Sequence, residues 1–470
     1  MDVELSLKIV EKVLALEQKH LTKVQEILLR QSLAGYSYIE IAKTSGYDAG
    51  YLKDAGSQLW QILSCALGEK VSKNNLTSIL KRNYSRYSIL EVVEAQSSYL
   101  PLLIPHRDWG EEIDISHFYG RTAELSLLEQ WILGESPKGN TSASRCRVVA
   151  ISGMGGIGKT VLSAKLVTQI QAEFDCIVWR SLQFAPFLSE LLLDLISVLA
   201  QQQEPDLPEK SGDRISLLLS YLRQNRCLLI LDNFETILAS SNSFGSYREG
   251  YEDYGKLLER LGAETHQSCL ILTSREKPKE IVTQEGEKLA VRSLQLGGLQ
   301  VTEINAMYRA INSFWGTPEA WQELVRYYDG NPLCLKIVAA TIHNLFDGSI
   351  SQFLQNLQLE NCILDGIRDL LDSQFNRLSD LEKEVLYWLA IEREPVAIAE
   401  LRDDLLSVVS KQQLINVLNS LCRRCLIDKS GEKFTQKLVV MDYVTEKFTQ
   451  QIYQEMSYED REQGAGSSYQ

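Results

Sequence analysis

The hydrophobic pattern changes its period along the chain, and each change marks a new unit. Residues 3–34 place Val10, Val13, Leu14, Val24, Ile27 and Leu28 at helical spacing. Gly35 ends that run, and Ser37-x-x-Glu40 predicts a capping box that opens a short helix. Residues 76–110 are mixed, with Pro101 and Pro105 bracketing an apolar strip, and they read as a linker. From residue 145 short β-branched runs alternate with amphipathic helices. The runs lie at 145–152, 176–181, 227–232 and 269–274, with a fifth at 289–296. Such alternation predicts a parallel, doubly wound α/β sheet. After Gly298 the strands stop and helices dominate. Residues 366–455 read as helices followed by a hairpin, its strands at 425–428 and 433–440 around a Lys-Ser-Gly-Glu turn. Residues 461–470 are polar and Gly/Ser-rich, the composition of a frayed end. No internal repeat is visible.

Composition narrows the class. At ~100–200 residues per domain, 470 residues make about three domains, each able to bury a core. Apolar residues at 44% and charged residues at 23% match globular proteins and exclude collagen-like, disordered and disulfide-scaffold chains. The most apolar stretch, 187–200, is interrupted by Glu190 and Asp194, whereas a membrane span needs ~20 apolar residues. The start, Met1-Asp2-Val3-Glu4, is acidic where an export signal is basic, so a cytoplasmic location is expected. The net charge of −14 argues against broad nucleic-acid binding, but it is unevenly spread. Residues 1–90 hold twelve Lys/Arg against nine Asp/Glu, so this stretch carries +3 and the remainder −17. Nine cysteines without an export signal do not suggest a disulfide framework. Cys422 and Cys425 form a lone C-x-x-C pair, and with no second pair or nearby histidine they read as buried thiols.

One motif carries chemistry by itself. Gly153-Met154-Gly155-Gly156-Ile157-Gly158-Lys159-Thr160 fits G-x-x-x-x-G-K-[ST], with an apolar strand before it and an amphipathic helix, opening at Val161, after it. Glycines let successive N–H groups turn inward around a β-phosphate, and the helix N-terminus adds partial positive charge. Lys159 supplies a point charge between β- and γ-phosphates, and Thr160 a hydroxyl for Mg²⁺. Residues 227–232 form an apolar strand ending in Asp232, the arrangement that faces an acid toward Mg²⁺. The following residue is Asn233, and an amide cannot take a proton from water. Glu235 is the candidate substitute base, set against a capping or ion-pairing role. Arg275 ends the next strand, where a parallel sheet delivers its residues to one crevice, so it can meet a γ-phosphate.

The order of these motifs resembles the NB-ARC class of STAND nucleotide switches, the regulatory ATPases of plant resistance proteins and apoptotic scaffolds. His117-Phe118-Tyr119-Gly120-Arg121 resembles the family's adenine segment, with Thr122 where the family has glutamate. Residues 174–179 resemble the second-strand motif, and Thr273-Ser274-Arg275 the sensor strand. Gly330-Asn331-Pro332-Leu333 is similar to G-L-P-L, whose proline packs on adenine. The resemblance implies ATP or ADP with Mg²⁺ held by Phe118, Tyr119, Arg121, Gly153, Gly155, Gly156, Ile157, Gly158, Lys159, Thr160, Val161 and Pro332. It implies a P-loop domain at 111–297, a small helical domain at 298–365 and a winged helix at 366–455. These lie between an N-terminal domain (1–90), a linker (91–110) and a flexible tail (456–470). The family's winged helix ends in Met-His-Asp, whose histidine touches ADP. Lys437 falls where that histidine would sit.

Ala42, Gly46 and Leu52 have helix-turn-helix spacing, and the second helix exposes Asp48, Gly50, Tyr51, Lys53, Asp54 and Ser57. One cation against two anions is a poor base-reading face, so a protein-binding adaptor is the reading and DNA binding the alternative. Lys81, Arg82 and Arg86 read as a solvated helix face. The module is similar to those that open bacterial NB-ARC proteins with C-terminal WD-type repeats, and no such repeats are expected here. The resulting expectation is a slow ATPase acting as a switch, held shut by ADP and opened by ATP to recruit protein partners or self-assemble. The alternative is a DNA-binding transcriptional regulator controlled by its ATPase core. A metabolic hydrolase or kinase ranks third, because no acceptor-substrate motif accompanies the phosphate loop.

Overall fold

The computed structural model describes residues 10, 23–33, 36–45, 47–67, 71–73, 75–76, 106–110, 113–134, 145–200, 208, 210–240, 245–360, 363–405 and 409–466. Contacts divide the chain into two units, Met1–Leu102 and Leu103–Gln470.

In the first unit, helices Lys23–Leu33, Tyr38–Ser45 and Ala49–Leu67 enclose a core of Leu28, Leu29, Ile41, Leu52, Leu59 and Leu63. The capping box forms as expected. Ser37 N donates to Glu40 Oε2 at 2.7 Å and Glu40 N to Ser37 Oγ at 3.3 Å. Gly56 lets the long helix approach Tyr38, because a Cβ there would lie 2.6 Å from the Tyr38 hydroxyl. Asp48, Gly50, Lys53 and Ser57 are exposed. Gly35, Gly46, Lys81, Arg82, Arg86 and the side chains of Tyr51 and Asp54 lie outside the described residues.

The second unit is built on a six-stranded parallel sheet: β1 His106–Asp108, β2 Val148–Ser152, β3 Cys176–Ser181, β4 Cys227–Asp232, β5 Cys269–Ser274 and β6 Val291–Gln295. Their order is β1-β3-β4-β5-β2-β6. Alternate residues feed two layers. Val149, Ile151, Ile177, Leu228 and Ile230 pack with helices Thr122–Leu133 and Lys159–Ile170. Val148, Ala150, Val178, Leu229 and Leu231 pack with Leu188–Leu199, Ser211–Gln224 and Asp253–Ala263. Edge strand β1 falls inside the stretch read as a linker. It is too short for a hydrophobic period, and its register comes from β3, with His106 opposite Cys176 and Asp108 opposite Val178.

Beyond β6 one continuous core runs from Leu299 to Val444. It is built from helices Val301–Ile311, Pro318–Tyr327, Pro332–Phe346, Ile350–Glu360, Asp365–Phe375, Asp380–Glu392 and Lys411–Arg423. Two of these start on side-chain caps followed by proline, Thr317-Pro318 and Asn331-Pro332. An antiparallel sheet in the order β7-β9-β8 completes it: β7 Val396–Ala397, β8 Ile427–Ser430 and β9 Lys433–Gln436.

Two expectations fail at the C-terminal end. The hairpin's second strand stops at Gln436, and helix Leu438–Gly466 begins where the strand was extended through Val440. Val439, Val440, Met441, Tyr443 and Val444 are all buried, which a β-branched run permits in either conformation. That helix also runs through most of the segment read as a flexible tail. Its Glu/Gln/Arg content there supports helix.

Candidate functional site

Between β2 and helix Lys159–Ile170 the backbone turns through Gly156 (φ +76°) and Gly158 (φ +99°), which side-chain-bearing residues rarely adopt. Lys159 is buried, and its Nζ donates to Gly153 O at 2.9 Å and Met154 O at 3.1 Å. Burial pushes its ammonium below the usual lysine range, while the Glu235 carboxylate pulls it back up. A buried cation whose described hydrogen bonds go to carbonyls is a strong attractor for an anion.

Thr160 Oγ1 donates to Asp232 at 2.9 and 3.2 Å, and Thr273 Oγ1 donates to the same carboxylate. Burial pushes the Asp232 carboxyl above its ordinary range, against the pull of the Thr273 and Thr160 hydroxyls. A hydroxyl and a buried carboxylate side by side are a hard-oxygen donor set that fits Mg²⁺. Thr160 and Asp232 would hold the ion, which supplies charge neutralisation for phosphates. Because the folded-state pKa of Asp232 lies above its unfolded value, its ionisation cost vanishes at low pH and grows as pH rises through the folded pKa. Asp232→Asn is therefore expected to raise the melting temperature of the nucleotide-free protein near pH 7, and less toward about pH 4. Calorimetry at both pH values checks it, and an equal gain or a loss at neutral pH contradicts it.

Asn233 sits in the left-handed region (φ +59°), and its Nδ2 donates to Ser181 Oγ at 3.3 Å and Asp232 Oδ2 at 3.4 Å. Both Glu235 oxygens are engaged by Arg275: Oε2 accepts its backbone N–H at 3.1 Å and Oε1 lies 3.2 Å from its Nε. The same guanidinium donates to Ser373 Oγ at 2.7 Å and packs over Gly155, where a Cβ would meet Arg275 Cζ at 3.2 Å. Arg275 thus touches the phosphate loop, Glu235 in the turn after β4 and helix Asp365–Phe375 at once. Next to it, buried Glu276 lies 3.4 Å from Arg424 and 3.9 Å from Arg377. Arg377 also donates to Glu235 O at 2.9 Å and Leu238 O at 3.2 Å.

Beside the loop lies a cavity of about 360 Å³ lined by both the sheet domain and the helices beyond it. Its walls include Phe118, Tyr119, Arg121, Gly156, Ile157, Gly158, Val161 and Pro332, all singled out in the sequence. Arg121, itself buried, donates to Ile157 O at 3.2 Å and pairs with Glu124 at 2.9 Å. Its backbone N–H donates to Glu303 Oε1 at 3.1 Å. The sequence reading missed the far wall of Leu299, Met307 and Ile311, although Met307 and Ile311 stand at helical i,i+4 spacing. It also missed Glu303 and Ser373, which no local pattern marks. Gly153, Gly155, Lys159 and Thr160 form the loop but do not line this cavity.

Lys437 is not among the lining residues either. Its Nζ pairs with Asp329 and lies 3.9 Å from Asp428. Cys422 and Cys425 are free thiols, and no group of acidic, cysteine or histidine side chains among the described residues could hold a metal by itself. Cys425 accepts from Gln295 Nε2 at 3.4 Å, and burial pushes its thiol up to about 11. No described helix is long and apolar enough to cross a membrane.

A loop of this geometry, a carboxylate–hydroxyl pair and an adjoining apolar slot define a P-loop nucleotide-binding protein. Residues 137–242 match the NB-ARC domain model, and residues 1–83 match the vWA-MoxR associated protein N-terminal HTH model. The chain therefore carries an NB-ARC nucleotide-binding domain, preceded by a helix-turn-helix domain at its N-terminus. It is 46% identical over 369 residues to an uncharacterized WD repeat-containing protein of Nostoc sp., covering 77% of this chain and 29% of that one. It is 24% identical over 290 residues to the disease resistance protein RRS1B of Arabidopsis thaliana, covering 60% of this chain and 19% of that one. A STAND protein with a tetratricopeptide repeat sensor from Pyrococcus horikoshii aligns with a TM-score of 0.36 at 22% identity. That alignment covers 72% of this chain and 44% of the archaeal one. The chain spans less than a third of the length of the curated relatives named here.

Proposed function

We propose that this chain is an ATP/ADP switch whose closed form is the arrangement described above. ADP and Mg²⁺ bind across the loop and slot, and residues 366–455, read as a winged helix, pack against the sensor strand. The reading rests on Arg275. The guanidinium that this reading assigns to a γ-phosphate is also the group that holds Ser373 of the C-terminal helices. A third phosphate competes for that cation, so ATP weakens the contact that keeps the domains together. Once Arg275 leaves, Glu276, Arg377 and Arg424 remain as a buried charge cluster that hydrates readily on separation. Opening then frees surface for protein partners or for self-assembly, with the N-terminal domain as the adaptor.

Arg275→Ala is expected to weaken ATP several-fold more than ADP, since only ATP offers a γ-phosphate. Titration calorimetry with both nucleotides checks this. Equal losses for the two would remove the sensor role.

A further inference from the structure

Asn331 stands where the resembled motif has leucine, and both ends of its amide are used. The side chain is 1% exposed and begins helix Pro332–Phe346. Its Oδ1 accepts from Leu333 N at 3.1 Å and Cys334 N at 3.3 Å, which is an N-cap. Its Nδ2 reaches across to the phosphate loop and donates to Gly155 O at 2.9 Å. Beside it Leu333 N lies 3.3 Å from Gly156 O. A Cβ on Gly156 would meet Leu333 Cβ at 2.7 Å and Asn331 Oδ1 at 3.1 Å, so only glycine permits this approach. A leucine at 331 would fill the space and offer Gly155 O no donor.

A trans peptide holds its C=O and N–H on opposite sides, and no peptide among the described residues is cis. Pinning Gly155 O toward the helical domain therefore turns the N–H of Gly156 the other way. Neither glycine has a side chain to hold that peptide plane, and glycine is the residue freest to flip it. We propose that Asn331 is a positioning residue for the phosphate loop. It fixes the Gly155–Gly156 peptide so that the Gly156 N–H is presented to a bound β-phosphate, and it couples that N–H to the docking of the helical domain. A donor aimed in advance needs no reorganisation when the anion arrives. This inference rests on the nucleotide reading above.

The test uses the full chain, with ADP and AMP as probes. Asn331→Ser keeps an N-cap oxygen but cannot reach Gly155, and it adds no charge. It is expected to leave the ligand-free melting temperature near wild type. ADP affinity should fall roughly 10-fold or more, with AMP, which lacks the β-phosphate, changed less than about twofold. Asn331→Asp is the second variant, keeping shape and cap while exchanging the donor for an acceptor. It is expected to lose ADP at least as strongly, so that a poorly folding serine variant does not leave the question open. Wild-type ADP affinity in either folded variant, or equal losses for ADP and AMP, would overturn the positioning role while the nucleotide reading stands. A wild-type chain that binds neither probe would overturn the nucleotide reading, and this role with it.

Discussion

Lys159→Ala is expected to lower ADP affinity by roughly 10²–10³-fold, the cost of truncating one partner of a buried charge pair. The fold should survive the change. Lys159 is buried and held by the carbonyls of Gly153 and Met154, and burial already disfavours its charged form. In the ligand-free protein the ammonium is therefore a burden, and the melting temperature of the alanine variant should equal or exceed wild type. Stability and binding then move in opposite directions, which separates a ligand-directed lysine from a structural one. Fluorescence titration with ADP beside a thermal melt measures both. Wild-type ADP affinity in a folded variant would falsify the phosphate-loop assignment.

The wild-type chain alone is expected to hydrolyse ATP at well under ~1 s⁻¹, below the usual range of metabolic enzymes. The residue after Asp232 is an amide whose Nδ2 is committed to Ser181 and Asp232, and it can take no proton from water. Glu235, the nearby carboxylate, has both oxygens engaged by Arg275. A missing general base typically removes ~10²–10⁴-fold in rate, and slow turnover lets an ATP state last long enough to recruit a partner. Asn233→Asp should raise the single-turnover rate with nucleotide affinity changed only a few-fold, and Glu235→Gln should lower what rate remains only if Glu235 is the substitute base. Quench-flow measurement on the three proteins decides it. Turnover of tens of ATP per second by the wild type would replace the switch with an ordinary enzyme.

The sheet and the loop were legible in the sequence because each is written locally. Runs such as 227–232 are fully buried strands flanked by amphipathic helices, and the glycines of 153–158 encode a turn few other residues can make. The slot was half legible. Phe118, Tyr119, Arg121 and Pro332 stood in motifs, while Met307 and Ile311 belong to a helix that looks like any other amphipathic helix. Long-range partnerships were not legible at all. Nothing near Ser373 announces Arg275, nearly a hundred positions away, and nothing near Glu303 announces the N–H of Arg121. The partners of Lys437 are a further case. Strand alignment gives it a place in the motif, while Asp329 and Asp428, which pair with it, are brought close only by folding. The missed strand at His106 and the helix after Gln436 have the same origin. Their conformations are decided by what they pack against, through β3 in one case and the C-terminal core in the other.

Small-angle X-ray scattering of the chain loaded with ADP, and again with a slowly hydrolysed ATP analogue, tests the switch most directly. The arrangement in which Arg275 joins the nucleotide site to Ser373 predicts a compact ADP form and a larger radius of gyration with the analogue. Identical scattering from two preparations, each shown to carry its nucleotide at one per chain, would contradict it.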